Sequence, residues 1–414
     1  MLSKFKPISI SLSPNVQKDD VALALKLLFQ PWKWKHGNAV KELEDNFKKY
    51  LGVKYAFSFN SGRSSLYAIL KAMNLPAGSD VALQAFTCNA VPNPILWAGL
   101  NPVYIDCADD FNIDTENLKA KSYNLKVLVA QHTFGLPTNM EEINSIVRQN
   151  GGIIIEDCAH ALGAEINGKK VGTFGKAAFF SFSRDKVISC VYGGMAVTND
   201  DELGKKLEAL QKEFGTPGLF WIRQQILHPV LLHYIILPLY NFFDLGKIVL
   251  VASQWIHLLS KAVSWKEKRG ERPGYFPKAL PNALAIMAKH QLEKLGKFQE
   301  HRKTISQFYY ENLKGTAFGL PSMSEGQSFL RFVITHSKAH EIIYEAWHNQ
   351  NMLLGDWYTT PIAPDDTKLE EMKYEPGMAP NAERLAKQTL NLPTHVNISL
   401  IEAARIVNFL KKYK

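Results

Sequence analysis

Between about residues 50 and 200, short apolar or β-branched runs alternate with stretches whose apolar residues recur at helical spacing. The runs are YAFSF (55–59), DVALQAF (80–86), NPVYID (101–106), KVLVAQH (126–132), GIIIED (152–157), AAFFSF (177–182) and GGMAVT (193–198). SSLYAILKAMN (64–74) and MEEINSIVRQN (140–150) are clear helical stretches between them. Strands that alternate with helices pair in parallel, so the pattern predicts an α/β fold: a doubly wound, mainly parallel sheet with helices on both faces. Ligands of such a sheet collect beyond the carboxyl ends of its strands. From about residue 283 onward long helical stretches flank a few strands such as SFLRFVITH (328–336), which predicts a smaller α+β C-terminal domain. The expected division is a large domain over 1–212, an inserted segment over 213–272 and the small domain over 273–414.

The inserted segment breaks the pattern. Residues 218–265 are far more apolar than the rest of the chain, and QQILHPVLLHYIILPLYNFF (224–243) carries no formal charge. Twenty such positions are just enough for a spanning helix. Pro229, Pro238, His228, His233 and two glutamines argue against one. A kinked pair of apolar helices lying in a bilayer interface fits better, because Trp221, Tyr240, Trp255 and Trp265 suit that interface and the basic KEKRGER (266–272) follows. A helical hairpin packed at a dimer interface, or over the small domain, is the competing reading, since a large apolar patch marks partners of either kind.

Composition adds bounds. At 414 residues with 46% apolar side chains, the chain can fill large cores and is neither disordered nor fibrous. The formal charge of +9 suits an acidic ligand or an anionic membrane surface. No basic run with interleaved aromatics suggests a nucleic-acid groove. Cys88, Cys107, Cys158 and Cys190 lack metal-ligand or redox spacing and read as reduced, buried thiols, so no metal site is expected. The N-terminal MLSKFKPISISLSPN has no apolar core of a signal peptide, which places the enzyme domain in the cytoplasm, with the inner face of the membrane as its station if the insertion docks there.

Lys186 lies near the end of FFSFSRDKVIS (179–189), twenty-nine residues after Asp157 closes the strand GGIIIED. An amine just past a polar turn, with an acid at the mouth of a parallel strand, is what a pyridoxal phosphate enzyme needs: the amine to carry the cofactor's aldehyde, the acid to keep its ring nitrogen protonated. SGRSS (61–65), directly before a helix, offers backbone N–H groups at Gly62, Arg63 and Ser64 to a phosphate, although a serine-capped helix start has the same sequence.

EDCAHALGAEINGKKVGTFGKAAFFSFSRDKVISCVYGGMAVTND (156–200) resembles the DegT/StrS-type aminotransferases, fold type I pyridoxal phosphate enzymes that mostly aminate keto sugars carried on nucleotides. FNSGRSSLYAIL (59–70), AGLNPVYIDCADDFNID (98–114) and AQHTFGLPTNMEEI (130–143) follow the family's pattern in order, as do ALAIMAKHQLEKLGKFQEHR (283–302) and APNAERLAKQTLNLPTHVNIS (379–399). The resemblance implies Lys186 and Asp157 as catalytic residues. It implies a phosphate contact from Ser181, a cofactor contact from His160 and a close approach of the chain at Gly193 and Gly194. His132, at a strand end, is a candidate for the substrate side.

Three departures stand out. Arg63 replaces a threonine of the phosphate loop, Cys88 replaces the aromatic residue that stacks on the ring, and GYFPKALPNAL (274–284) replaces a segment whose asparagine reaches the partner subunit's phosphate. Arg63 is expected to grip the phosphate with its fork, and Lys278 or Asn282 to reach across a homodimer. The resemblance then implies transfer of an amino group from an amino acid, glutamate, to a keto sugar for cell-envelope glycan or polysaccharide synthesis. A sugar dehydratase on the same fold is a second reading, disfavoured because such relatives typically carry histidine where Lys186 stands. A membrane-associated scaffold or regulator without activity is a third.

Overall fold

The computed structural model describes residues 6–122 and 125–414. The first five residues of the N-terminal stretch considered above lie outside the described part. Seven strands form the main sheet: β1 (Tyr55–Phe59), β2 (Asp80–Gln84), β3 (Asn101–Ile105), β4 (Val127–Gln131), β5 (Ile153–Asp157), β6 (Ala177–Ser181) and β7 (Gly194–Thr198). Their order is β1-β7-β6-β5-β4-β2-β3, and β7 alone runs antiparallel to both of its neighbours. Each of the seven apolar runs supplies one strand.

Alternation along each strand sorts side chains onto two cores. Phe57, Phe59, Phe179 and Ala196 join Leu66, Ile69 and Leu70 of the helix that follows β1 on one face. Ala56, Ala178, Phe180, Met195 and Val197 face the other core, with Phe47 and Leu43. On that second face pack α1 (Lys18–Leu28) and α2 (Ala39–Leu51), while α3 (Gly62–Met73) starts where β1 ends. With both faces covered, the strands read as continuous apolar runs.

Among the polar residues that interrupt these runs, Glu156 is a carboxylate with no exposed surface. Its carboxylate accepts N–H bonds from Gly172 (2.7 Å), Phe174 (2.6 Å) and Gly175 (2.7 Å), with His132 Nε2 at 3.3 Å. A buried carboxylate tolerates loss of water when several donors replace it. The bonds pin the loop leading into β6.

The C-terminal part has a two-stranded antiparallel sheet, β8 (Arg331–Thr335) with β9 (Thr389–Pro393). The insertion forms helix α4 (Leu219–Leu231), a π-helical turn over Leu232–Ile236 and helix α5 (Leu245–Trp255). Pro229 sits inside α4, where it lacks the N–H for the usual ladder bond, and the regular helix gives way two residues later. Ile222 and Ile226 of α4 are buried in the second core. Helix α5 buries fully only Gly246 and Ser253 and leaves Ile248, Val251 and Trp255 exposed. Among the described residues no helix is long and apolar enough to cross a membrane. Flanking the C-terminal sheet are α6 (Leu295–Leu313), α7 (Ala339–Gln350) and α8 (Leu400–Leu410), which share one apolar cluster with Phe332, Ile334, Leu390 and Leu392.

Replacing Glu156 with alanine strands one buried and two part-buried amides and is expected to lower the free energy of unfolding by about 2 kcal/mol, read as a shift in urea midpoint by circular dichroism. An unshifted midpoint contradicts the role given to this carboxylate.

Candidate active site

The carboxyl ends of β1, β4, β5 and β6 open onto one cavity, whose lining includes Gly62, Arg63, Cys88, Gln131, Asp157, His160, Ser181 and Lys186. The long connection from β6 to β7 carries Lys186 there. Its backbone is held from behind: Asn15 Nδ2 donates to the carbonyls of Lys186 (2.5 Å) and Val187 (3.1 Å), and Arg302 Nη2 donates to Asn15 Oδ1 (2.8 Å). The ammonium stands 4.7 Å from the centre of the Trp357 ring. Burial lowers its pKa to about 8, against the opposing pull of Cys88 and Asp157. The neutral, nucleophilic amine is thus far more available than on a surface lysine.

Asp157 ends β5 opposite Phe179 of β6 and Gln131 of β4. Burial raises its carboxyl to about 6, while the Ala159 N–H (2.9 Å) and the charges of Lys186 and His132 draw it back down. His160 is buried and held well below its ordinary pKa by that burial, with Lys186 and Arg331 adding to the effect, so it is neutral. Its Nδ1 accepts from the Phe134 N–H (3.2 Å), and its ring lies at 16° to Trp357 with centres 5.3 Å apart.

At the opposite end of the cavity, α3 begins. The first N–H groups of a helix have no partner in the turn below, which makes Gly62 and Arg63 donors for an anion. The same place explains two glycines: a Cβ on Gly194 would lie 2.4 Å from the Ser61 carbonyl carbon and 2.5 Å from the Gly62 nitrogen, and one on Gly62 would lie 3.1 Å from Ser181 Cβ. Strand β7 and Ser181 therefore press directly against the helix start. A Cβ on Gly193 would lie 2.6 Å from Cys190 Sγ.

Five expectations need correction. Ser64 is outside the cavity lining: its N–H is taken by the Ser61 hydroxyl (3.0 Å), and its own hydroxyl donates to Asn60 Oδ1 (2.7 Å). His132 is fully buried just past the end of inner strand β4, between Glu156 and the Thr138 N–H (3.1 Å), and lies outside the cavity lining. Asn282 is buried too, accepting from Ala39 N (3.0 Å) and donating to Lys33 O (2.8 Å). Lys278 donates to the Phe214 carbonyl (2.9 Å). The last two are occupied within their own chain. Arg63 lines the cavity, but its guanidinium pairs with buried Glu267 and donates to the Ala262 carbonyl (3.0 Å), so its fork is already engaged.

Sequence reasoning missed Trp357, Tyr358, Arg184, Asp185 and Tyr192, all in the lining. Arg184 and Asp185 precede Lys186 directly and were readable as its neighbours. Trp357 and Tyr358 come from a loop more than 160 residues away with no motif to mark it. Their rings and the Cys88 thiol line the same cavity.

An amine of lowered pKa, an acid beyond it, a neutral imidazole and a helix start with serine and arginine nearby suit the aldehyde, ring nitrogen and phosphate of pyridoxal phosphate. The buried Asp185 Oδ1 and Arg184 Nε have no hydrogen-bond partner among the described residues, as in a site shaped for a further polar group. Fold and site together define a pyridoxal phosphate enzyme of fold type I. The profile of the DegT/DnrJ/EryC1/StrS aminotransferase family matches residues 14–220 and 252–411, and the chain belongs to that family. The match leaves out 221–251, the heart of the apolar insertion.

The chain is 32% identical over 219 residues to GDP-perosamine synthase of Caulobacter vibrioides, an alignment covering 52% of this chain and 59% of that protein. It is 25% identical over 400 residues to the UDP-N-acetyl-3-dehydro-alpha-D-glucosamine 3-aminotransferase of Acidithiobacillus ferrooxidans, covering 95% and 94%. Helicobacter pylori PseC, an aminotransferase involved in the biosynthesis of pseudoaminic acid, has the same fold, with a TM-score of 0.76 at 22% identity over 98% of this chain and 99% of that one.

In protein without cofactor, labelling of Lys186 by formaldehyde and cyanoborohydride, followed by peptide mass spectrometry, should be half-maximal near pH 8. In Asp157→Asn the midpoint should fall by about one pH unit, because the opposing charge is gone. A midpoint in the range of surface lysines contradicts the buried setting of this amine.

Proposed function

We propose that this chain moves an amino group from an amino acid, with glutamate as donor, to a keto sugar carried on a nucleotide, in the synthesis of a cell-envelope glycan or polysaccharide. The observation that carries the reading is the shared cavity of Lys186 and Asp157. When bound there, pyridoxal phosphate supplies an electron sink for the carbanion formed beside the migrating nitrogen. Asp157 keeps a proton on the ring nitrogen by staying ionised opposite it. Lys186, with its pKa near 8, takes a proton from the donor's α-carbon and returns one to the sugar carbon that receives nitrogen. His160, neutral, orients without adding charge. Trp357 and Tyr358 shield the amine from bulk water, which lowers the barrier to moving a proton on carbon. Lysine at 186 favours amino transfer over dehydration.

Two finer points belong to the same reading. The large domain over 1–212 holds the cofactor and the part over 273–414 closes the site, as one half of a homodimer. The enzyme works in the cytoplasm at the inner face of the membrane, with 216–270 as its contact. The observation favouring that contact is the outer face of α5 and its two ends: Ile248, Val251 and Trp255 on the helix are exposed, as are Phe243 just before it and Ile256 just after it, with Lys247 on the helix and Lys261 and Lys266 exposed further along the chain. Aromatic and basic side chains together suit an anionic bilayer interface.

Lys186→Ala should still bind the cofactor's amine form, while its half-reaction with glutamate slows by about a thousandfold or more, measured by single-turnover absorbance. Undiminished turnover rejects the assignment. Wild-type protein should sediment with vesicles containing anionic lipid, and Ile248→Glu/Trp255→Glu should stay in solution. Equal partition of the two proteins removes the membrane contact and leaves the chemistry untouched.

A further inference from the structure

The insertion does not end at its exposed helix. After α5 the chain turns back through an irregular segment, Ser260–Glu267, which bends at Ala262–Val263 and ends in a 3-10 turn at Glu267; Ala262 and Val263 line the cavity, and Ala262 is also open to solvent. Three residues of the cavity wall are tied to this segment. Arg63 Nη2 donates to the Ala262 carbonyl (3.0 Å), Arg184 Nη2 donates to the Ser260 carbonyl (2.7 Å) and hydroxyl (2.7 Å), and the Tyr192 hydroxyl donates to the carbonyls of Lys261 and Ala262. From its outer side, Ser260 Oγ bonds Gln225 Oε1 of α4 (2.7 Å).

Its far end is anchored by charge. Glu267 is fully buried and pairs with Arg63. Its second carboxylate oxygen accepts from the Ser264 N–H (2.8 Å), and its own carbonyl accepts from Asn93 (2.8 Å). The anchor sits where α3 begins, the end of the cavity that offers N–H donors to a phosphate.

We propose that Ser260–Glu267 is a strap that closes the phosphate end of the cofactor site from within the same chain, with Arg63 and Glu267 as its latch and as positioning residues for the cofactor. The inference rests on the pyridoxal phosphate reading of the cavity. It also accounts for Lys278 and Asn282 being engaged inside their own chain: the strap stands in place of a reaching partner residue.

The latch has a particular charge logic. Glu267 alone beside a phosphate dianion repels it, and Arg63 cancels that repulsion. A buried pair that loses one partner leaves the other uncompensated, whereas losing both relieves the fault. Removing Arg63 should therefore hurt phosphate binding more than removing both residues does.

The test uses the full-length protein and pyridoxamine 5′-phosphate, which forms no bond to Lys186, with pyridoxamine as the ligand lacking phosphate. Binding is followed by equilibrium and stopped-flow fluorescence. Arg63→Met should weaken pyridoxamine 5′-phosphate binding by about thirtyfold or more, and Arg63→Met/Glu267→Gln should recover most of that loss. Glu267→Gln alone should hold equilibrium affinity within about threefold while speeding release about tenfold, because the strap opens more often. Tyr192→Phe, which removes a tie to the strap and keeps the ring, should also speed release, and it serves if the Arg63 variants do not fold. Pyridoxamine should respond weakly to every substitution. Losses that simply add in the double variant, release rates unchanged in Glu267→Gln and Tyr192→Phe, or equal effects on both ligands overturn the strap. Failure of the wild-type protein to bind either ligand overturns the cofactor reading along with it.

Discussion

The carboxylate of Glu156 fixes much of what surrounds the site. It stands inside the sheet, next in sequence to Asp157, and takes three backbone amides from the loop that feeds β6. Neighbouring residues of a strand point to opposite sides, so a single strand end serves two purposes. One carboxylate holds the architecture. The other faces the cavity. Because β6 enters from the pinned loop and pairs in register with β5, the position of Ser181, and of the turn that carries Lys186, follows from that anchorage.

A second constraint is the crowding at the start of α3. β7 runs antiparallel between β1 and β6, and it reaches the helix start closely enough that position 194 has no room for a side chain. Ser181, Gly62 and Gly194 are thereby locked into one small patch. Toward this patch the wall of the cavity is completed by Ala262 and Val263 of the returning segment.

Much of this was legible in the sequence. The seven strands could be read because burial on both faces gives near-continuous apolar runs, and Lys186, Asp157, His160 and Ser181, which line one cavity, lay within thirty residues of each other at strand ends. What failed were residues whose role depends on long-range packing. Asn282 and Lys278 could be read as outward-reaching because nothing local reveals that Lys33, Ala39 and Phe214 lie within their grasp. Arg63 looked like a free fork since its counter-charge, Glu267, lies about two hundred residues on. The insertion was visible as composition. That its returning limb touches the cofactor cavity was not, for carbonyl groups carry no signature in a sequence.

The ring of Trp357 meets two cations: its centre lies 3.4 Å from the Arg331 guanidinium carbon and 4.7 Å from the Lys186 nitrogen. An indole's excited state carries a large dipole, so the local field of such cations displaces its emission. Neutralising the lysine alters that field, and a flat ring in the cavity adds a quencher. The chain has eight tryptophans, yet this one sits against the amine on which the chemistry turns. A change in the charge of Lys186 is therefore felt directly as a change of field at this indole.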